Sequence, residues 1–253
     1  MSVAIALAAS SSEGGAPAKR GGGKLARCAT CGARALSFCA AVSAQHLDRL
    51  AGAKISHRVA AGETFLKEGD PASHLINITE GSVKVYKLMP DGRRQITGFL
   101  SAGDLLGLAV NDVYTYSAEA LTPVTMCKFP RRQLERLLEE FPAMEKRMLA
   151  MASNELAAAQ EQMMLLGRKT AHERIATFLL TLAARERRFG RSGKVVELTM
   201  TRTDIADYLG LTTETASRVF TNLRKRGWID LDGANRVVLA EPGALEELAT
   251  GLE

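Results

Sequence analysis

The chain has 253 residues, a formal charge of +5, four cysteines and one tryptophan. Its 46% hydrophobic and 24% charged content is that of an ordinary globular protein, long enough for one or two domains and a core without staples. Collagen-like, wholly disordered and polytopic membrane classes are excluded, since no apolar run approaches the ~20 residues of a membrane helix.

Residues 1–27 are rich in Gly, Ala and Ser, with Gly14-Gly15-Ala16-Pro17 and Gly21-Gly22-Gly23. Such a composition buries too little apolar surface to offset its ordering entropy, so a disordered tail is expected. Its first residues are apolar but lack a preceding basic residue, unlike a secretory signal. A cytoplasmic location and no membrane partner are therefore expected. Of the net charge, +4 lies in residues 1–47 and only +2 in 168–253, so the basic balance is no argument for nucleic acid.

Residues 28–47 hold Cys28, Cys31 and Cys39, then a short helical pattern. In a chain that stays inside, cysteines at such spacing suggest metal or redox chemistry more than disulfides. Residues 48–130 read as a small domain of short strands separated by turn chemistry. Apolar positions alternate in His74–Thr79 and Ser82–Tyr86, and Asp91-Gly92 predicts a hairpin with a type I′ turn. Many short strands at close spacing indicate a barrel or sandwich.

Residues 131–167 switch to a helical period. Leu134, Leu137, Leu138 and Phe141 form one stripe, interrupted by Pro142. Met144, Met148, Met151, Leu156, Met163 and Leu166 continue in a long segment. Its length favours a helix shared between two copies, because one small barrel cannot cover both of its faces. Packing on its own barrel is the alternative.

Residues 168–253 carry the most specific pattern. Thr203–Tyr208 reads as a short helix, Leu209-Gly210-Leu211 as a tight turn, and Thr212 as the N-cap of a helix over Thr213–Arg224. Ala216, Val219, Phe220 and Leu223 would be buried; Glu214, Ser217, Arg218 and Asn222 would face outward. Two short helices around a glycine turn make a helix-turn-helix, whose second helix fits the DNA major groove. Glu214 can accept from a cytosine amino group and Arg218 can bond bidentately to guanine. Arg202, Thr203, Lys225 and Arg226 can reach phosphates. Gly227–Ala240 reads as a closing hairpin. No phosphate-binding glycine loop or kinase set is present, and the four histidines are isolated, so an enzyme is not expected.

The run Met200–Arg218 resembles the helix-turn-helix signature of the CRP/FNR transcription factors. Glu68-Gly69-Asp70 and Gly81–Tyr86 are similar to that family's cyclic-nucleotide-binding-type β-roll. The resemblance spans roughly residues 28–250 and implies an α+β fold. Its parts would be a β-roll, a long dimerisation helix and a C-terminal winged helix-turn-helix, with the joint around Gly167 to Thr170. It also implies a homodimer on palindromic double-stranded DNA with TTGAT-like half-sites read through Glu214, Ser217 and Arg218. Thr213 stands where the best-known member has valine, with its methyl group available to a thymine. Contact with RNA polymerase is implied as well, and the loops Pro90–Arg94 and Val113–Tyr116 are candidates for it.

No cyclic nucleotide is expected, because Tyr116 occupies the place of the arginine that neutralises the cyclic phosphate in binding members. The four cysteines, with Cys127 88 residues beyond Cys39, look like the ligand set of the oxygen-sensing FNR branch. That resemblance implies a [4Fe–4S] cluster on Cys28, Cys31, Cys39 and Cys127. Lys24, Arg27 and Arg34 would partly offset its charge. A four-cysteine zinc site, a Cys28–Cys31 dithiol switch and a cofactor-free regulator remain alternatives. Ala157-Ala158-Ala159 lacks the aspartate found at its third position in the best-known member, so dimerisation is expected to depend less on the cluster.

Overall fold

The computed structural model describes residues 28–108, 112–233 and 235–251. The tail expected over 1–27, with Lys24 and Arg27, lies outside the described residues.

The cysteine-bearing segment is a string of helical turns, Arg34–Leu36, Phe38–Ala41 and Ala44–His46. A short helix, α1 (Leu47–Ala53), follows. Phe38 and Val42 are fully buried and anchor the segment, and the Phe38 ring meets Phe129 edge-on at 5.3 Å. Gly103, at φ +95°, lies directly beneath Leu36, where any β-carbon would collide with that side chain.

The β-roll consists of two four-stranded antiparallel sheets. One has the order β1 (Ile55–Val59), β8 (Val124–Pro130), β3 (His74–Glu80), β6 (Leu105–Leu106). The other runs β2 (Thr64–Leu66), β7 (Ser117–Ala120), β4 (Val83–Leu88), β5 (Arg94–Leu100). Ile76, Ile78, Val83, Val85, Val124 and Met126 meet in the interior between the sheets.

Two expectations about strands need correction. In β3 the residues Leu75 to Ile78 are all buried, and in β4 so are Val83 to Tyr86. Strict alternation requires a wet outer face, and both outer faces are covered here. Leu75 packs under the cysteine segment, and Tyr86 packs against the C-terminal half. The β4–β5 hairpin does not turn as type I′ either. Gly92 alone has positive φ, at 84°, and its N–H donates to Met89 O at 2.9 Å. That bond makes Met89–Gly92 the four-residue turn, so its central pair is Pro90-Asp91 and not Asp91-Gly92, and Pro90, with φ fixed near −65°, excludes the left-handed first position of type I′.

Helix α2 (Arg131–Glu140) buries Leu134 and Leu137, and α3 (Pro142–Arg168) begins with Pro142 in its first turn. The methionine stripe of α3 is split. Met144 and Met148 are buried against the cysteine segment, and Leu165 against the C-terminal half. Leu149, Leu156, Met163 and Met164 are 61–68% exposed. Packing on its own barrel thus accounts for the first turns of the helix and no more.

Past the joint, Thr170 and Glu173 form a reciprocal capping box at the start of α4 (Ala171–Arg188). The rest comprises β9 (Val195–Glu197), α5 (Arg202–Leu209), α6 (Thr213–Lys225), β10 (Ile229–Asp232), β11 (Arg236–Leu239) and α7 (Pro242–Thr250). The expected closing hairpin is β10–β11, and β9 adds a third strand that its three residues were too short to announce. Among the described residues, no helix is long and apolar enough to cross a membrane.

Candidate functional site

The first site grows from β8. Its alternation sends Val124 and Met126 into the roll and Thr125, Cys127 and Phe129 outward. In register with Cys127 stand Asn77 on β3 and Ser56 on β1. The cysteine segment lies across this face and leaves a cavity of about 260 Å³. Cys28, Cys31, Cys39 and Cys127 all line it, so residues 88 or more apart in sequence share one wall. Among the described residues, no three His, Cys, Asp or Glu side chains are already grouped as metal ligands.

Two further wall residues have a chemistry that the sequence did not single out. Lys54 is buried, and its Nζ lies 3.5 Å from Cys127 Sγ and 3.4 Å from Ser56 Oγ. Asn77 is buried with its Oδ1 lacking a hydrogen-bond partner, a costly state for a polar atom. Arg34, expected to lie near the thiols, also lines the cavity. One of its terminal nitrogens donates to Val42 O at 2.7 Å, while its Nε has no partner. Burial pushes the Cys39 thiol up to about 12, against a lowering hydrogen bond from Ser37. Burial also raises Cys127, opposed by the nearby Lys54 charge. Ligation at either sulfur must therefore displace a proton.

The segment is tied to the long helix. Arg147 on α3 donates to Ser37 O at 2.7 Å and to Ala35 O at 2.8 Å. Ser37 Oγ in turn accepts from Cys39 N–H at 3.3 Å.

On the roll's other side, Tyr116 is pushed up by burial, and its hydroxyl accepts from Gly107 N–H at 3.0 Å. Tyr114 is buried and donates to His74 O at 3.0 Å. Both tyrosines of the Val113–Tyr116 loop therefore turn inward, leaving Val113 and Thr115 at the surface. In the Pro90–Arg94 loop, residues 90–93 are exposed, but Arg94 is drawn into ion pairs with Asp204 and Asp207.

The second site is α5–turn–α6. Thr201 caps α5 through a box with Asp204, and Gly210 takes the left-handed conformation at φ 62°. Leu211 N–H then closes on Ala206 O at 3.0 Å. Thr212 caps α6 by accepting from Thr215 N–H at 3.1 Å. Ala216, Val219, Phe220 and Leu223 form the buried face, in agreement with the spacing.

Thr213, Glu214, Ser217 and Arg218 are exposed together at the N-terminal half of α6, with Glu214 and Arg218 ion-paired to each other. Thr203 is exposed beside Thr213, 3.4 Å away between hydroxyls, and Lys225 is exposed at the far end. Asn222 departs from the expected outer face: it is half-buried, and its Oδ1 has no partner. Arg202 lies across the Phe220 ring at 3.7 Å, half-buried, instead of extending into solvent. Arg226 stands over Trp228 at 4.7 Å. The aromatic neighbours of these two arginines lie 18 and two residues away, so only the second contact is local in sequence.

Residues 56–141 match the family description of a cyclic nucleotide-binding domain, and residues 173–248 that of a Crp-like helix-turn-helix domain. Over 222 residues the chain is 38% identical to the nitrogen fixation regulation protein FixK of Bradyrhizobium diazoefficiens, covering 88% of this chain and 93% of that one. It is 44% identical over 204 residues to the transcriptional activatory protein AadR of Rhodopseudomonas palustris, covering 79% and 84% respectively. The solved structure of FixK2 from Bradyrhizobium japonicum, 36% identical, superposes with a TM-score of 0.71 over 77% of this chain and 96% of that one.

Proposed function

The chain belongs to the CRP/FNR family of transcription regulators, DNA-binding proteins and not enzymes, and from that premise we propose that it is an oxygen-responsive member. With a [4Fe–4S] cluster held by Cys28, Cys31, Cys39 and Cys127, it would bind a palindromic TTGAT-like site as a homodimer and control anaerobic or microaerobic genes. The observation that carries this reading is the single cavity lined by all four cysteines of the chain.

The wall suits such a group. Four soft thiols are its principal donors, and Lys54 and Arg34 bring positive charge toward a net anionic occupant. Arg34 Nε, an N–H donor without a partner among the described residues, can donate to a cluster sulfur. Bound there, the cluster supplies oxygen-labile iron–thiolate chemistry. The rest falls to the chain itself. Arg147 holds the backbone of residues 35 and 37, so a shift of the cysteine segment is passed to α3. The exposed Leu149, Leu156, Met163 and Met164 of that helix form the face that a second copy covers.

Two copies place two α6 helices about one DNA turn apart, near 34 Å, as a palindrome requires. Glu214, Ser217, Arg218 and Thr213 then read base edges. Thr203, Lys225 and, after leaving their rings, Arg202 and Arg226 meet phosphates. RNA polymerase would find residues 90–93 at the exposed tip of the β4–β5 hairpin. Cyclic nucleotides are not ligands on this reading, because Tyr116 already engages Gly107 N–H and brings no positive charge.

An anaerobic absorption spectrum with iron and sulfide analysis tests the cluster. Brown protein with iron and sulfide that bleaches in air is expected. Colourless protein with stoichiometric zinc would replace the cluster by a structural metal, and metal-free protein would leave a regulator without a cofactor. Calorimetric titration with cyclic AMP should show no binding heat.

A further inference from the structure

The C-terminal half is not merely tethered to the β-roll by α3; it is locked onto the outer face of β4–β5. Asp204 is the hub. It is buried, with a side chain only 4% exposed, and its two oxygens have separate tasks. Oδ2 accepts from Thr201 N–H at 3.0 Å and Thr201 Oγ1 at 2.7 Å, completing the α5 cap. Oδ1 faces the roll and meets Lys84 Nζ at 3.0 Å and Arg94 at 2.9 Å.

Lys84 is itself buried and also pairs with Glu119 at 2.9 Å, on the neighbouring strand β7. Arg94 forks onward to Asp207 at 2.8 Å, one turn along α5. Gln95 donates to Asp207 O at 2.7 Å, and Gln162 of α3 donates to Tyr208 O at 3.0 Å. Arg185 of α4 donates to Phe99 O at 2.7 Å and pairs with Asp104 at 2.8 Å. Between these contacts the rings of Phe99, Phe178 and Tyr208 pack at 5.2–6.1 Å.

Buried ion pairs contribute little net stability, because desolvation cancels much of the attraction; their well-attested use is to fix a register. Removing one partner leaves an uncompensated charge, so the arrangement tolerates only one docking. The register fixed here is that of α5, and α6 follows it through the Gly210 turn.

We propose that Lys84, Arg94 and Asp204 are positioning residues that lock the helix-turn-helix to the β4–β5 hairpin and thereby set the half-site spacing the dimer accepts. The inference rests on the reading of the chain as a dimer on a two-part DNA site. One inserted base pair moves a half-site by about 3.4 Å along the duplex and about 34° around it. A locked domain pays for that mismatch in strain, whereas a domain swinging on the Gly167–Thr170 joint absorbs it.

The test uses the full chain, anaerobically prepared, on three palindromes that differ by one base pair in spacer length, and on a single half-site. Wild type should prefer one spacer by roughly tenfold or more. Lys84→Met and Arg94→Gln, both on the roll, should weaken binding to that spacer and reduce the preference to about threefold or less, with single half-site binding unchanged. Asp204→Asn, which keeps an oxygen for the Thr201 cap, should do the same. Equal losses on all three spacers would reduce the contacts to ordinary stability and overturn the proposal. Tighter binding by the variants would make the contact inhibitory and overturn it too. A wild type indifferent to spacer would mean that the domain swings freely and would overturn the proposal, whereas a wild type that binds no palindrome more tightly than a single half-site would instead remove the dimeric reading on which the proposal rests.

Discussion

The β-roll is covered on two outer faces, and the two covers differ in kind. Over β1–β8–β3 lies the cysteine segment, enclosing a cavity of about 260 Å³ with unpartnered atoms on Asn77 and Arg34. Over β4–β5 lies the helix-turn-helix half, where Lys84, Arg94, Gln95, Asp204 and Asp207 are all paired. Buried polar groups left without partners cost about 1–3 kcal/mol each, so a fold keeps them only where something else completes them. The first cover is thus a receptor surface, and the second is a finished joint. A sensor needs both: one face that responds to an occupant, and one that carries the reading helix without play.

The largest effect expected is at the receptor face. Cys127→Ser or Cys39→Ser should abolish iron retention while circular dichroism shows the fold intact; unchanged iron content would remove that residue from the ligand set. Phe38→Ala should follow, because it empties the anchor between segment and roll. A loss of about 3–5 kcal/mol in denaturant unfolding is expected for a fully buried phenylalanine. A loss below about 1 kcal/mol would show that the cover stands without this pin.

Arg218→Ala touches neither cover. It should cost roughly 1–3 kcal/mol of DNA affinity at one base pair and leave other positions unchanged. A uniform loss over all sequences would make Arg218 a phosphate contact. Thr212→Ala removes the α6 cap and should cost about 1 kcal/mol in thermal or chemical unfolding.

The smallest effect is in acid. Burial raises Asp204, but hydrogen bonds from Thr201 and Lys84 outweigh it, so its carboxyl lies below the usual range in the folded protein. Its stabilising contribution is then complete above the ordinary aspartate value of about 3.9 and is lost as pH falls through the lower folded value. Melting curves should fall more steeply below about pH 4 in wild type than in Asp204→Asn. Parallel curves would mean that the joint does not depend on this charge.

Much of the reading site is legible in the residues alone. The spacing of Ala216, Val219, Phe220 and Leu223, the cap at Thr212, and Gly210 in the left-handed region are local, because a helix-turn-helix is built from contacts a few residues apart. The joint is not legible. Lys84 alternates outward between two valines and reads as a solvated side chain; only the arrival of Asp204, 120 residues later, makes it buried. The same holds for Lys54 beside Cys127 and for Arg147 on the carbonyls of residues 35 and 37.

The sequence by itself determined the classes of element, the exposed face of α6 and the number of thiols, since these follow from period, caps and composition. Tertiary structure decided which strand faces stay wet and brought Cys127 to the other three cysteines. It also held the two halves together through one carboxylate. Those outcomes depend on partners far away in sequence, 73 residues for Lys54 with Cys127 and 120 for Lys84 with Asp204, and no local pattern encodes a partner's arrival.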